Sequence, residues 1–183
     1  VTGINEGAKV SEFGHDAITR TLEWAHGNLD EMKIKEQVDK KGINSYINYC
    51  AGLAATTGAV AGVGGAATLV LGIPADVANT IAQQFRVTLA VIYHRTGNYS
   101  VSFEEFMKIV AVSLGVEIGA QGVLFGVNYI VKQVAAELAK RLTARTVGRI
   151  IPLVGGVVGG GINFAFIKAL GKTLLGLDDQ IFS

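Results

Sequence analysis

The side chains that could do chemistry in this chain sit where chemistry is costly. Asp76, Gln83, Gln84, Arg86, Glu117, Gln121, Asn128, Asn163 and Lys168 all fall within stretches that are otherwise apolar. They cannot all face water if those stretches pack together, and a buried charge left without a partner is strongly destabilising. Two arrangements answer the problem. In one, the polar groups form a buried network that fixes helix register, for example Arg86 with Glu117. In the other they line a cavity or meet a lipid headgroup, and the candidate ligand-binding residues are then Asp76, Gln84, Arg86, Glu117, Gln121 and Asn163. Glu117, Gln121 and Asn128 are spaced to share one face of a continuous helix.

Other chemistries lack their residues. Gly62-Val63-Gly64-Gly65-Ala66-Ala67 has the loose form of a dinucleotide fingerprint, but no strand–helix–strand unit surrounds it and Asp76 comes too early to hold a ribose. Helix packing is the better reading. Gly171-Lys172-Thr173 imitates the end of a phosphate-binding loop, yet position 166 is Phe where that motif needs its first Gly. His15, His26 and His94 have no metal-ligand spacing, and the single cysteine, Cys50, adds none. No G-x-S-x-G elbow is present. No catalytic residue, metal site or cofactor is therefore expected. Cys50 can form no internal disulfide and is expected to be a buried thiol.

The elements that would position the polar set are small-residue helices. Ala51 to Ile73 carries no charge and is mostly Gly and Ala. It is long enough for a bilayer, but small side chains supply little transfer free energy and instead allow close backbone approach. The G-x-x-x-G spacing occurs at Gly58/Gly62, Gly115/Gly119, Gly122/Gly126, Gly155/Gly159 and Gly156/Gly160. Gly58, Gly62, Gly115, Gly119, Gly155, Gly156 and Gly159 are thus expected to form a helix-packing surface or an apolar ligand slot. Ala51–Ile73, Phe103–Lys132 and Pro152–Leu175 are expected as three apolar helices at the centre of a single all-α bundle.

Around them, Val1 to Val10 reads as a loose arm and the chain from Ser11 as an amphipathic helix. Asn28 and Glu31 have capping-box spacing ahead of a short polar helix that Gly42 would end. Pro74 suits the first turn of a helix closed by Gly97 and Asn98. Ser102 and Glu105 form a capping box, flanked by Val101 and Phe106 as a hydrophobic staple, which places a helix start at Phe103. Lys140, Arg141, Arg145 and Arg149 make a basic edge suited to an anionic membrane surface or to a solvated helix. Strand alternation is lacking throughout.

With 183 residues, half of them hydrophobic, the chain can bury one full core. A formal net charge of +1 argues against nucleic acid as a partner. The opening residues show no basic segment followed by an apolar run, so no signal peptide is read there and a cytoplasmic location is expected, with peripheral docking at the inner membrane.

Two blocks carry a family pattern. Gly72-Ile73-Pro74-Ala75-Asp76 continues through Gln83-Gln84 to Ile92-Tyr93, and Ile151-Pro152-Leu153-Val154-Gly155-Gly156 continues through Gly161-Ile162-Asn163 to Lys168-Ala169-Leu170-Gly171. Together, over about residues 44–175, they resemble the EcsC family and a related helical domain found behind membrane-associated GTPases. The resemblance implies a bacterial, helical, membrane-associated or lipid-handling module, and it carries over no catalytic residue. The expected partners are a lipid or other apolar ligand and a membrane surface, with a protein partner left open. The alternative expectation is a pore-forming protein that inserts through its G-x-x-x-G faces.

Overall fold

The computed structural model describes residues 5–56, 73, 75–119, 126–147 and 155–182, of which 5–13, 142–147 and 155–159 are described as backbone alone. The described residues form seven α-helices and no strand: α1 (Asn5–Gly27), α2 (Glu31–Lys41), α3 (Ile43–Ala55), α4 (Ala75–Thr96), α5 (Phe103–Ser113), α6 (Val127–Val147) and α7 (Gly155–Leu175). A 3-10 turn, Asp179–Phe182, closes the chain. The expected all-α class is the observed one. α1 begins at Asn5, within the stretch expected to be a loose arm.

Local chemistry sets most helix ends. Asp30 caps α2 by accepting from the Lys33 amide at 3.1 Å, whereas Asn28, the expected cap, donates its side-chain amide to the Trp24 carbonyl at 2.8 Å. Gly42 ends α2 at φ +77° and Gly97 follows α4 at φ +74°, a region that favours glycine. Ser102 caps α5: its hydroxyl accepts from the Glu105 amide at 3.3 Å and donates to the Glu105 carboxylate at 2.8 Å, so the carboxylate meets the cap's hydroxyl where a capping box would have it meet the cap's backbone amide.

The expected helix over Phe103–Lys132 is not continuous. α5 stops at Ser113, and Gly115 takes up φ +70° just beyond it. The Gly115 amide bonds the Val112 carbonyl and the Val116 amide bonds that of Ala111, both at 2.9 Å, which is the paired C-terminal closure of a Schellman motif. Arg141 donates a further hydrogen bond to the Leu114 carbonyl at 2.7 Å. Gly119 is again helical, residues 120–125 lie outside the described residues, and α6 begins at Val127 after Gly126 at φ +69°. Gly115 is thus a helix stop and not a packing groove, and a Cβ added at Gly115 or Gly119 would meet nothing within 4 Å.

α4 is the centre of the bundle. It packs against α1, α2, α3, α5 and α7, and every residue from Ala78 to Ile92 is buried except Arg86. A helix buried all round must be surrounded by others, and α4 is. Phe85 meets Phe106 of α5 edge-on at 4.8 Å between ring centres. His26 of α1 lies 5.0 Å from both Phe103 and Phe106, and burial there holds its imidazole below the ordinary pKa. Arg95, at the end of α4, donates to the carbonyls of Leu175 and Leu177 at 3.2 and 2.6 Å and pairs with Asp179, which ties the end of α7 to the centre.

α3 and α7 approach closely. A Cβ on Gly160 would stand 2.7 Å from the Ala55 carbonyl oxygen, and one on Gly171 2.7 Å from Ile47 Cγ2. Ala51–Ile73 was expected to be one helix. α3 covers its first part and ends at Ala55, while residues 57–72, with Gly58 and Gly62, lie outside the described residues.

Candidate functional site

The close contact of α3 with α7 decides which face of α7 is left open. Gly160, Asn163, Ile167, Leu170, Gly171 and Leu174 turn inward and are buried. The opposite stripe, at helical spacing, is Gly161 and Ile162, Phe164 and Ala165, Lys168 and Ala169, then Lys172 and Thr173, all exposed. Its first half is apolar, with Ile162 36% and Phe164 40% exposed. Its second half carries two cations one turn apart.

Lys168 donates to the Asn48 side-chain oxygen on α3, and among the described ion pairs neither it nor Lys172 meets a carboxylate. Below them an open groove of about 360 Å³ runs between α3 and α7, lined by Asn44, Ile47, Lys168, Ala169, Lys172 and Leu175. An apolar patch that grades into a basic groove matches an acyl region beside anionic headgroups.

The interior polar set is arranged differently from the expectation. Gln83 donates to the Asn79 side-chain oxygen at 3.0 Å, and Asn79 donates to the Leu53 carbonyl at 2.8 Å near the end of α3. This chain satisfies a backbone acceptor that the helix end leaves unpaired. Gln84 is fully buried, and neither of its amide atoms has a hydrogen-bond partner.

No protein-family model, curated protein or solved structure matches this chain.

The candidate ligand residues do not converge on one site. Asp76 is half-buried in the first turn of α4, Gln84 lies deep in the middle of that helix, and Asn163 is buried on the inner face of α7. Arg86 lines a small cavity with residues of α2 and α3. Glu117 is exposed in the turn after α5 and lines a groove with Gln133, Glu137 and Lys140 of α6. The expected Arg86–Glu117 pair does not form, because the end of α5 at Gly115 carries Glu117 to the α6 side of the bundle. Gln121 lies outside the described residues; Asn128 is exposed on α6. Gly155, Gly156 and Gly159 belong to the first turns of α7, described as backbone alone. Of the basic edge, Arg141 is held by Glu137 at 2.7 Å.

Cys50 is buried as expected. Burial pushes its thiol up to about 11, against smaller opposing effects from the Tyr46 hydroxyl and from Arg86. A thiol so placed stays protonated near neutral pH and is a poor nucleophile. Among the described residues no group of three or more His, Cys, Asp or Glu could hold a metal ion.

Sequence reasoning missed Asn79 and the Lys168–Lys172 pair as a surface feature. The i, i+4 spacing of the lysines was the available signal. Which side of α7 is open depends on α3, which periodicity within α7 alone cannot reveal.

Proposed function

We propose that this protein is a membrane-associated, lipid-binding helical module of the EcsC-like type, which docks peripherally on an anionic bilayer through the outer face of α7. The observation that carries the reading is the graded stripe from Ile162 and Phe164 to Lys168 and Lys172. Large apolar side chains on a solvated helix face gain free energy by entering the headgroup boundary, and each lysine near an anionic surface adds about 1 kcal/mol. The family pattern in the two blocks around α4 and α7 supports the same class. Among the described residues no helix is long and apolar enough to cross a membrane.

Co-sedimentation with vesicles tests the proposal. The protein should bind phosphatidylglycerol-rich vesicles and bind phosphatidylcholine vesicles more weakly, with the difference lost at high salt. Ile162→Glu with Phe164→Glu should weaken binding by about tenfold or more, since two apolar anchors become charges. Lys168→Glu with Lys172→Glu should remove the lipid-charge preference. Equal partitioning of parent and variants would overturn the assignment of this face.

A further inference from the structure

Arg86 is the one residue between Ala78 and Ile92 that is not buried, and it opens into a cavity of about 80 Å³ between α2, α3 and α4. The other lining residues are Asp30, Lys33, Ile34, Gln37, Tyr46 and Tyr49. Asp30 at the cap of α2 and Lys33, Ile34 and Gln37 within it line one side, and Tyr46 and Tyr49 of α3 another, so three helices converge on Arg86. Among the described ion pairs Arg86 has no carboxylate partner. A half-buried guanidinium left uncompensated is unfavourable.

The cavity is also short of partners for its own polar groups. The Gln37 side-chain oxygen is buried without a hydrogen-bond partner. Its terminal amide torsion is broad, so a half-turn presents the NH₂ group in its place. Asp30 supplies the single lining carboxylate, and it is engaged at the α2 N-terminus with the Lys33 amide at 3.1 Å, where the helix dipole favours it. Arg86 and Lys33 outweigh it, and Lys41 lies over the ring of the lining Tyr49 at 4.3 Å. The balance of charge selects an anion. The volume is several times the ~10–15 Å³ that one water occupies on the same measure, so a tetrahedral oxyanion has room.

We infer that this cavity binds a phosphate group, either free phosphate or a phosphate monoester, with Arg86 as the main cationic contact and Lys33 as the second. Arg86 offers a planar fork of donors that matches phosphate oxygens, and Lys33 offers a mobile point charge at the rim. The amide of Gln37 completes the donor set once turned. The site lies between α2, α3 and α4 and stands independently of the reading of α7.

Titration calorimetry with inorganic phosphate and with glycerol 3-phosphate, joined to flotation with vesicles of phosphatidylcholine containing phosphatidic acid, tests the inference. Saturable one-to-one binding of either soluble anion is expected, with Arg86→Gln weakening it by roughly tenfold or more, as loss of a charged hydrogen-bond donor does. Lys33→Gln, at an exposed position of α2, should weaken it less and keep the fold, so it carries the test if Arg86→Gln unfolds. Ile162→Glu with Phe164→Glu should leave soluble-anion affinity unchanged, which separates this site from the α7 face. If only the phosphatidic acid vesicles respond, and do so in an Arg86- or Lys33-dependent way, the phosphate belongs to a lipid headgroup. Absence of any phosphate-dependent binding, or binding that both cavity variants leave intact, overturns the site.

Discussion

Gln84 and Arg86 show how much two positions along one helix can differ. Two residues of helix turn through about 200°, so Gln84 faces the interior while Arg86 faces the cavity beside α2. Both drew notice in the sequence as polar residues in an apolar stretch, and helix geometry alone already forbids them a shared site. Depth was not readable, because α4 is wrapped on all sides and has no polar face to orient it. A buried amide with neither atom paired costs about 1–3 kcal/mol, whereas a side chain of similar length without polar atoms costs nothing in lost hydrogen bonds. Gln84→Met should therefore raise the stability of the folded chain by about that amount, read as a higher denaturant midpoint at unchanged slope. A lower midpoint would mean that the amide has a partner in solution.

Helix starts and stops were legible wherever one side chain decides them. Ser102 with Glu105 placed the start of α5, since a cap is a local hydrogen bond. Gly115 misled because the same residue type serves close packing and helix termination, and only the hydrogen bonds from Gly115 and Val116 distinguish the two. Among the described glycines, Gly160 and Gly171 permit close approach, at the contact of α3 with α7. In Gly160→Ala the new methyl meets the Ala55 carbonyl oxygen at 2.7 Å, a backbone atom that cannot rotate away. Overpacking of about 1–3 kcal/mol should exceed the gain of about 1 kcal/mol in helix propensity, so the melting temperature should fall. Gly171→Ala meets Ile47 Cγ2, a side-chain atom that can shift by small torsional and packing adjustments where a helix carbonyl cannot, and should fall less. Thermal melts followed by circular dichroism rank the pair, and the opposite order would mean that α3 and α7 do not approach through Gly160.

The all-α class was readable from the missing strand alternation, from helical spacing in α1, and from the breakers and caps that bound α4 and α5. The identity of the central element was not. Ala51–Ile73 drew attention by its lack of charge, yet among the described residues the helix at the centre is α4, which carries Asp76, Asn79, Gln83, Gln84 and Arg86. Hydrophobicity ranks segments by what they could bury, while position in a bundle depends on how many neighbours a helix contacts, a tertiary property. Being flanked by α1, α2, α3, α5 and α7 has a consequence for how the molecule opens. An amide in the middle of α4 can meet deuterated solvent only when several of those neighbours separate together, so its exchange should report the global unfolding free energy. α6, which packs chiefly on α1 and α5, can detach in a smaller event. In deuterium exchange followed by mass spectrometry, peptides from 78–92 should be the last to gain mass and peptides from 128–141 should gain it earlier; equal rates would make the whole bundle one cooperative unit.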